Sequence, residues 1–317
     1  MIDALASAPH YADHVSAVLG ALPESVRGDL LTPRPSNGRL RAFEPNRPER
    51  PMLVASFGDL KRAVRLGRRR IAMMEHGAGQ SYGGRRIGGD HGSYAGGRGR
   101  GPSSLFLHPG DHPAERDRRA YPRARVEVVG SPFLDTLPSR VGEPGRVVAF
   151  SFHFNGSVAP ETKNAWAWAW PTITRLRDRF AMLGHAHPRL FPTVEGVYRA
   201  AGIEPVADFR DVCRRADVYV CDNSSTLFAF AATGRPVVVL NPPWYDRTVA
   251  HGLRFWDAAT VGVQCDRVDD LGDAIDEALR DEPARKRDRE AAVDLVYAFR
   301  SGAAKRAAAV LEEWADG

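Results

Sequence analysis

Short apolar runs, each followed by a turn and a helix-like stretch, recur along this 317-residue chain. In the first half, 52–55, 71–74, 104–107 and 126–129 read as strands, and 59–66 reads as a short helix. A second series starts at 147–150 and continues through 181–184, 218–221 and 237–240, with helical patterns between them. Leu271, Ile275 and Leu279 repeat at helical spacing, and a last helix runs from about Ala303 to Trp314.

Short apolar strands alternating with helices predict parallel sheets. The turn-rich stretch Val141-Gly142-Glu143-Pro144-Gly145 separates the two series. The pattern therefore predicts an α/β chain of two Rossmann-like domains, with parallel sheets facing a cleft. The expected boundaries are 1–142, 143–300 and a C-terminal helix over 301–317.

Within that frame, Asp222-Asn223-Ser224-Ser225 holds the most information. It follows the apolar run 218–221 and precedes a helical stretch that Gly234 and Pro236 close. An acid and two hydroxyls thus stand at the carboxyl end of a parallel strand, where ligands bind in open α/β sheets. A helix start also presents free N–H groups suited to phosphate. The competing reading is a plain helix cap, with Ser224 or Ser225 as the N-cap.

His76 directly follows a strand and precedes Gly77, so it faces the carboxyl edge of its sheet. An imidazole there suits general-base work on an alcohol. His185 and His187 also follow a strand. Their spacing puts both rings on one face, and phosphate or acceptor contact, with Arg189 adjacent, fits better than metal binding because no third ligand lies near. The stretch 83–102 is glycine-rich with four arginines against one aspartate. It reads as a mobile basic loop: a lid, a nucleic-acid-binding arm or a solvated insertion. Trp166, Trp168 and Trp170 alternate with alanine and read as packing residues, with an aromatic platform for a sugar or base as the competing use.

Composition narrows the setting. With 43% hydrophobic and 26% charged residues, the chain is an ordinary globular protein. The net charge of +5 fits a phosphate-bearing partner or plain codon bias. Three scattered cysteines make neither a disulfide framework nor a zinc site. The N-terminus lacks a signal-peptide pattern and no apolar run is long enough for a membrane span, so a cytoplasmic location is expected. There is no Walker A sequence, no G-x-G-x-x-G after the first strand and no G-x-S-x-G elbow.

Taken in order, five blocks resemble the CDP-glycerol glycerophosphotransferase family, which builds teichoic-acid-type polymers on the GT-B scaffold. They are Glu75-His76-Gly77, then Val129 to Asp135, His187-Pro188, Asp222 to Ser225 with Gly234-Arg235-Pro236-Val237, and Ser301-Gly302 with Lys305-Arg306. The resemblance spans about 70–312. It implies a GT-B-like fold with 1–142 on the acceptor side and 143–300 binding a nucleotide donor. It implies His76 as the general base. His187, Asp222, Ser224, Ser225, Thr226 and Arg306 would hold the donor diphosphate. Gly77, Gln80, Arg85 and Arg86 would meet the acceptor. No metal and no cofactor beyond the nucleotide donor are implied.

The chain departs from the family at Ala229, where an acid is usual, at Phe133, where arginine is usual, and after Gly77, where Ala78-Gly79-Gln80 follows. The donor therefore stays open between CDP-glycerol and a UDP-sugar. The acceptor stays open among a polymer, a glycan and a modified nucleic acid. Two other functions remain: a non-hydrolysing nucleotide-sugar 2-epimerase, which would need several carboxylates (Glu75, Asp90 and Asp222 are the candidates), and a non-catalytic nucleotide- or nucleic-acid-binding protein.

Overall fold

A computed structural model describes residues 1–33, 47–79, 92–142, 145–156, 162–222, 224–245 and 261–317. The chain divides into two compact units, one of Met1–Thr136 with Leu295–Gly317 and one of Leu137–Asp294. The C-terminal helix belongs to the first.

The first unit holds six parallel strands: β1 (Ile2–Leu5), β2 (Arg27–Leu31), β3 (Met52–Val54), β4 (Ile71–Met74), β5 (Leu105–His108) and β6 (Arg125–Val128). Their spatial order is β2-β1-β3-β4-β5-β6. Two of these strands precede the first run that the apolar pattern picks out. In β1 the reason is Asp3, which interrupts the apolar run yet is fully buried. Its carboxylate accepts from Arg68 at 2.8 Å, from Arg50 at 3.3 Å and from the Asp29 backbone N–H at 3.1 Å. A buried charge survives only with such partners. Helices α1 (Pro9–Ala21), α2 (Phe57–Arg65) and α3 (Asp111–Ala120) connect the strands.

The second unit repeats the scheme with β7 (Val147–Phe152), β8 (Ala181–Ala186), β9 (Glu204–Pro205), β10 (Val218–Cys221), β11 (Val237–Leu240) and β12 (Val263–Cys265). All pairs are parallel, in the order β12-β11-β10-β7-β8-β9. Counted from β7, this is the 3-2-1-4-5-6 order of Rossmann sheets read from its far edge. The strand order reverses between β7 and β10, the position at which open α/β sheets bind ligands. The connecting helices are α4 (Trp166–Arg175), α5 (Phe191–Ala200), α6 (Phe209–Arg215), α7 (Thr226–Ala231) and α8 (Leu271–Arg280). The core joins Phe150, Phe152, Val220 and Val238, which share one face of the sheet, to Ile173 and Tyr198 of the helices that cover it. Trp166 and Trp170, four apart on α4, stack at 4.5 Å and pack on this core, as does Trp168. The tryptophans are packing residues here.

Helix α9 (Pro283–Val296) leads out of the second unit, and α10 (Ala303–Asp316) closes the first. Ala307, Ala308, Leu311 and Trp314 of α10 join Val15, Val18 and Leu19 of α1 in one apolar cluster. Arg70 caps the carboxyl end of α10 through the Trp314 and Ala315 carbonyls. Among the described residues no helix is long and apolar enough to cross a membrane.

Candidate functional site

In the first unit, β4 delivers Glu75, His76 and Gly77 beyond its carboxyl end. Gly77 has φ +74°, a conformation that favours glycine and turns the chain immediately after the histidine. Residue His76 is half-buried, and its Nδ1 is enclosed with no hydrogen-bond partner among the described residues. Tyr11 meets the ring edge-on at 5.0 Å, and His14 lies 6.2 Å away. Burial lowers the His76 pKa below the usual histidine value. Glu75, the Ala55 backbone and Asp59 act against that, and Arg100 acts with it.

Beside His76 runs a buried ionic chain. Arg100 is ion-paired with Glu75 at 2.7 Å and donates to Asp117 at 3.2 Å, and His108 Nε2 lies 3.1 Å from the same Asp117 oxygen. These four side chains are at most 5% exposed. Asp117 also accepts from the Gly96 N–H at 2.7 Å, and the Arg100 guanidinium donates to the Ser93 carbonyl at 3.2 Å. The expectation of a mobile loop over 83–102 is thus corrected for its described part, 92–102. There Arg98–Arg100 forms a 3-10 turn, and Arg100 is anchored in the unit's interior. Arginine and glycine read as solvated in one dimension. Here the arginine finds two buried carboxylates and a carbonyl, which offset its desolvation. Gln80, Arg85, Arg86 and Asp90 lie outside the described residues.

The blocks Val129–Asp135 and Ser301–Arg306 come together in this same unit. Gly130 has φ +87°, and a Cβ there would meet Ala303 at 3.1 Å. Asp135 accepts from the Ala304 N–H at 2.8 Å, at the start of α10. Arg306 donates to the Val129 carbonyl at 3.0 Å and to the Ser301 carbonyl, with its guanidinium over the Phe299 ring. Its bonds are therefore to this turn.

In the second unit, the loops after β7, β8 and β10 lie side by side at the point where the strand order reverses. Asp222, fully buried, accepts from the His153 N–H at 2.9 Å and from the Ala165 N–H at 3.1 Å. One carboxylate thereby holds both ends of the loop 153–165, from β7 to the start of α4. The sequence gives Asp222 the look of a ligand-binding acid. Its geometry makes it the staple of that loop.

Ser224 Oγ accepts from Thr226 Oγ1 at 2.9 Å, and Thr226 Oγ1 also pairs with Tyr219 OH at 2.8 Å. Ser225 occupies the N-cap position of α7 but makes no side-chain capping bond. It is half-buried. Asn223 lies outside the described residues. His187 follows β8; its Nδ1 accepts from the Arg189 N–H at 3.1 Å, and its ring packs on Phe154 at 4.6 Å and His153 at 5.1 Å. His153 is a site residue that the sequence reading passed over. Its signal was position: it is the first residue past the apolar run of β7.

His185 and His187 have separate surroundings, contrary to the shared face expected from their spacing. His187 stands beyond the strand. His185 points into the unit, where Nδ1 pairs with Ser151 Oγ at 2.7 Å. Burial pushes the His185 pKa down to about 4, with Asp208 opposing. The unfolded chain takes up that proton near the ordinary value of about 6.5. Stability present above this pH is therefore lost as pH falls towards the folded value of about 4, by up to about 3 kcal/mol. We expect the urea midpoint to fall over this window, and to fall less in His185→Asn. Equal slopes in the two proteins would exclude His185 as the source.

Residues 172–311 match the family model described as CDP-glycerol:poly(glycerophosphate) glycerophosphotransferase. No curated protein sequence matches the chain. The structure of the wall teichoic acid polymerase TagF, in a variant soaked with CDPG, aligns with 99% of this chain and 88% of its own, at 11% identity and TM-score 0.63. The Neisseria meningitidis UDP-GlcNAc 2-epimerase bound to UDP-GlcNAc aligns over 100% and 99%, at 10% identity and TM-score 0.60. The S. aureus MnaA–UDP co-structure aligns over 99% and 96%, at 12% identity and TM-score 0.61. At such identities the structural likeness speaks for the fold. It is the GT-B-like α/β architecture of two parallel sheets that the sequence predicts, and the family resemblance is borne out over residues 172–311.

Proposed function

From the match of residues 172–311 to the CDP-glycerol glycerophosphotransferase family, we propose that the chain is a transferase using a nucleotide-activated donor. It moves a glycerophosphate or glycosyl group to an acceptor hydroxyl. The observation that carries this reading is the family match across Asp222–Ser225 and Gly234–Pro236, at the strand-order reversal of a Rossmann-type sheet.

In this reading the donor phosphates meet Ser225 and the N–H groups that begin α7, with Ser224 and Thr226 fixing that turn and His187 packed on the loop after β7. Asp222 contributes by tying the loop after β7 to the end of β10. Arg306, bonded to Val129 and Ser301, shapes the Gly130 turn. His76 accepts the proton of the attacking hydroxyl. Attack at phosphorus releases a nucleoside monophosphate, and attack at a sugar carbon releases a nucleoside diphosphate. Positioning and stabilisation of the leaving phosphate supply the acceleration. The acceptor belongs to the teichoic-acid-like polymers, glycans or nucleic acids.

The epimerase reading is less well supported. Proton abstraction from a sugar carbon and its return need uncommitted carboxylates. Glu75 is ion-paired with Arg100, and Asp222 bonds two backbone N–H groups.

The test is a panel of CDP- and UDP-activated donors read by thermal shift. One donor at a hundred times its Kd should add about 2.7 kcal/mol to the stability of the unit that binds it. If no donor in the panel moves the transition, the donor assignment is wrong. Loss of that shift in Ser225→Tyr would place the donor at the β10–α7 turn.

A further inference from the structure

Resting on the transferase reading, we propose that the first unit carries a second binding surface, away from His76, which holds the body of a base-free phosphodiester polymer while the polymer's end is extended. Charge is segregated between the two faces of this unit's sheet. Leu60 and Ala63 of α2 pack on one face with Met52, Val54, Met73 and Phe106. Helix α3 joins them there, since Tyr121 at its end stacks on Phe106 at 5.1 Å and Asp117 meets His108. The 3-10 turn Arg98–Arg100 bridges the two helices. A Cβ at Gly99 would run into the Phe57 ring of α2, and the Arg100 N–H donates to Tyr121 OH at 3.1 Å.

This face exposes Arg65 and Arg69 at the end of α2, Arg98 in the turn, and Arg118, Arg119 and Arg123 at the end of α3. None of the six pairs with a carboxylate among the described residues. Lys61 adds a further exposed cation, against Asp111 and Glu115 as the exposed acids of these elements. The opposite face, covered by α1 and α10, is the reverse. It exposes Glu313 and Asp316, with Asp13 and Glu312 half-buried, against Lys305 as its one exposed cation. An arginine excess from codon usage alone would fall on both faces alike. Unpaired guanidinia gathered on one face repel one another and raise a positive potential, which an anionic partner relieves.

The spread of the cations sets the form of that partner. The ten residues of α3 alone span about 15 Å, so the set outreaches a single phosphate and suits an extended chain of them. Helices that connect parallel strands run back against them. Arg65, Arg69, Arg118, Arg119 and Arg123 therefore lie towards the amino edge of the sheet, and His76 stands at its carboxyl edge. A groove of about 410 Å³ opens at the amino edge, lined by Ser103, Ser104, Tyr121 and Arg123. Nucleic-acid bases need free rings to stack on, but Tyr121 is stacked on Phe106 and Phe57 lies under Lys61. A lipid surface needs apolar side chains to bury, and Val64 is the one large apolar residue exposed on these elements. The surface thus fits a phosphodiester backbone held by charge, with counterions released as phosphates meet guanidinia.

The experiment is fluorescence anisotropy of labelled poly(glycerophosphate) with the whole chain, repeated across salt. The parent is compared with the triple variant Arg118→Ser, Arg119→Ser, Arg123→Ser. A control triple removes three exposed cations of the second unit: Arg177→Ser, Lys286→Ser and Arg287→Ser. The first triple should weaken binding on the order of tenfold and flatten the slope of log K against log salt by about 2, while the control matches the parent. No binding by the parent, or equal losses in the two triples, would overturn the proposal. So would tighter binding of oligo(dT), or of phosphatidylglycerol vesicles, through the same three arginines. No donor enters the assay. Polymer binding in a chain that no CDP- or UDP-activated donor shifts would sink the transferase reading and leave this surface standing. A donor shift without polymer binding would do the reverse.

Discussion

Replacing His76 by alanine is expected to lower kcat by roughly 10²- to 10⁴-fold while the donor-induced thermal shift survives. A positioned general base contributes about that much, and the proposed donor contacts lie in the other unit, on the loops after β8 and β10. The loss should fall mainly on kcat, because the proton moves only as the hydroxyl attacks. The pH profile adds a sign. Burial lowers the His76 pKa, so the neutral base persists below the ordinary histidine range, and activity declines only as pH falls through that lowered value. Steady-state rates of the parent and His76→Ala, with the donor identified by thermal shift, decide the matter. An unchanged kcat would remove His76 from the mechanism.

Asp222→Ala should be the most damaging change in the second unit. It leaves two N–H groups without their acceptor, that of Ala165 buried and that of His153 half-buried, and a fully buried orphan costs about 1–3 kcal/mol. The sum, up to about 6 kcal/mol, is a large share of a domain's stability. The loop 153–165 should detach from the end of β10, and donor binding should go with it. Asp222→Asn keeps one acceptor oxygen but sets an amide N–H against the second backbone donor, so it should fall between. Hydrogen exchange at the His153 and Ala165 amides reads this directly. If both stay protected in Asp222→Ala, the carboxylate does not hold that loop.

Much of the scaffold was legible from local order alone. Strands β3, β4, β5, β7, β8, β10 and β11 stand within a residue or two of their apolar runs, because a strand buried on both faces must be largely apolar, and the half-buried β6 showed through its valines alone. Only β9 and β12, two and three residues long, are too short to show as runs. Strand β1 was not legible, since Asp3 breaks its apolar run and is admitted only by Arg50 and Arg68 from distant positions. The same physics hid Arg100. Four arginines among glycines look like solvent-facing chain, and only Glu75 and Asp117 make one of them an interior residue.

The position of Asp222–Ser225 at a strand-to-helix turn follows from the residues themselves. A run of four buried residues, a polar turn and a glycine-stopped helix admit few other arrangements. What Asp222 does could be decided only in three dimensions. Its partners, His153 and Ala165, are 69 and 57 residues away in sequence, and nothing local announces them. The return of α10 to pack on α1 is of the same kind, since an amphipathic helix specifies a buried face but not the surface that will cover it. Periodicity and turn chemistry are local, and they determined the elements and their alternation. Burial of charge and the choice of packing partner depend on the whole chain, and they decided which of the marked residues are chemistry and which are structure.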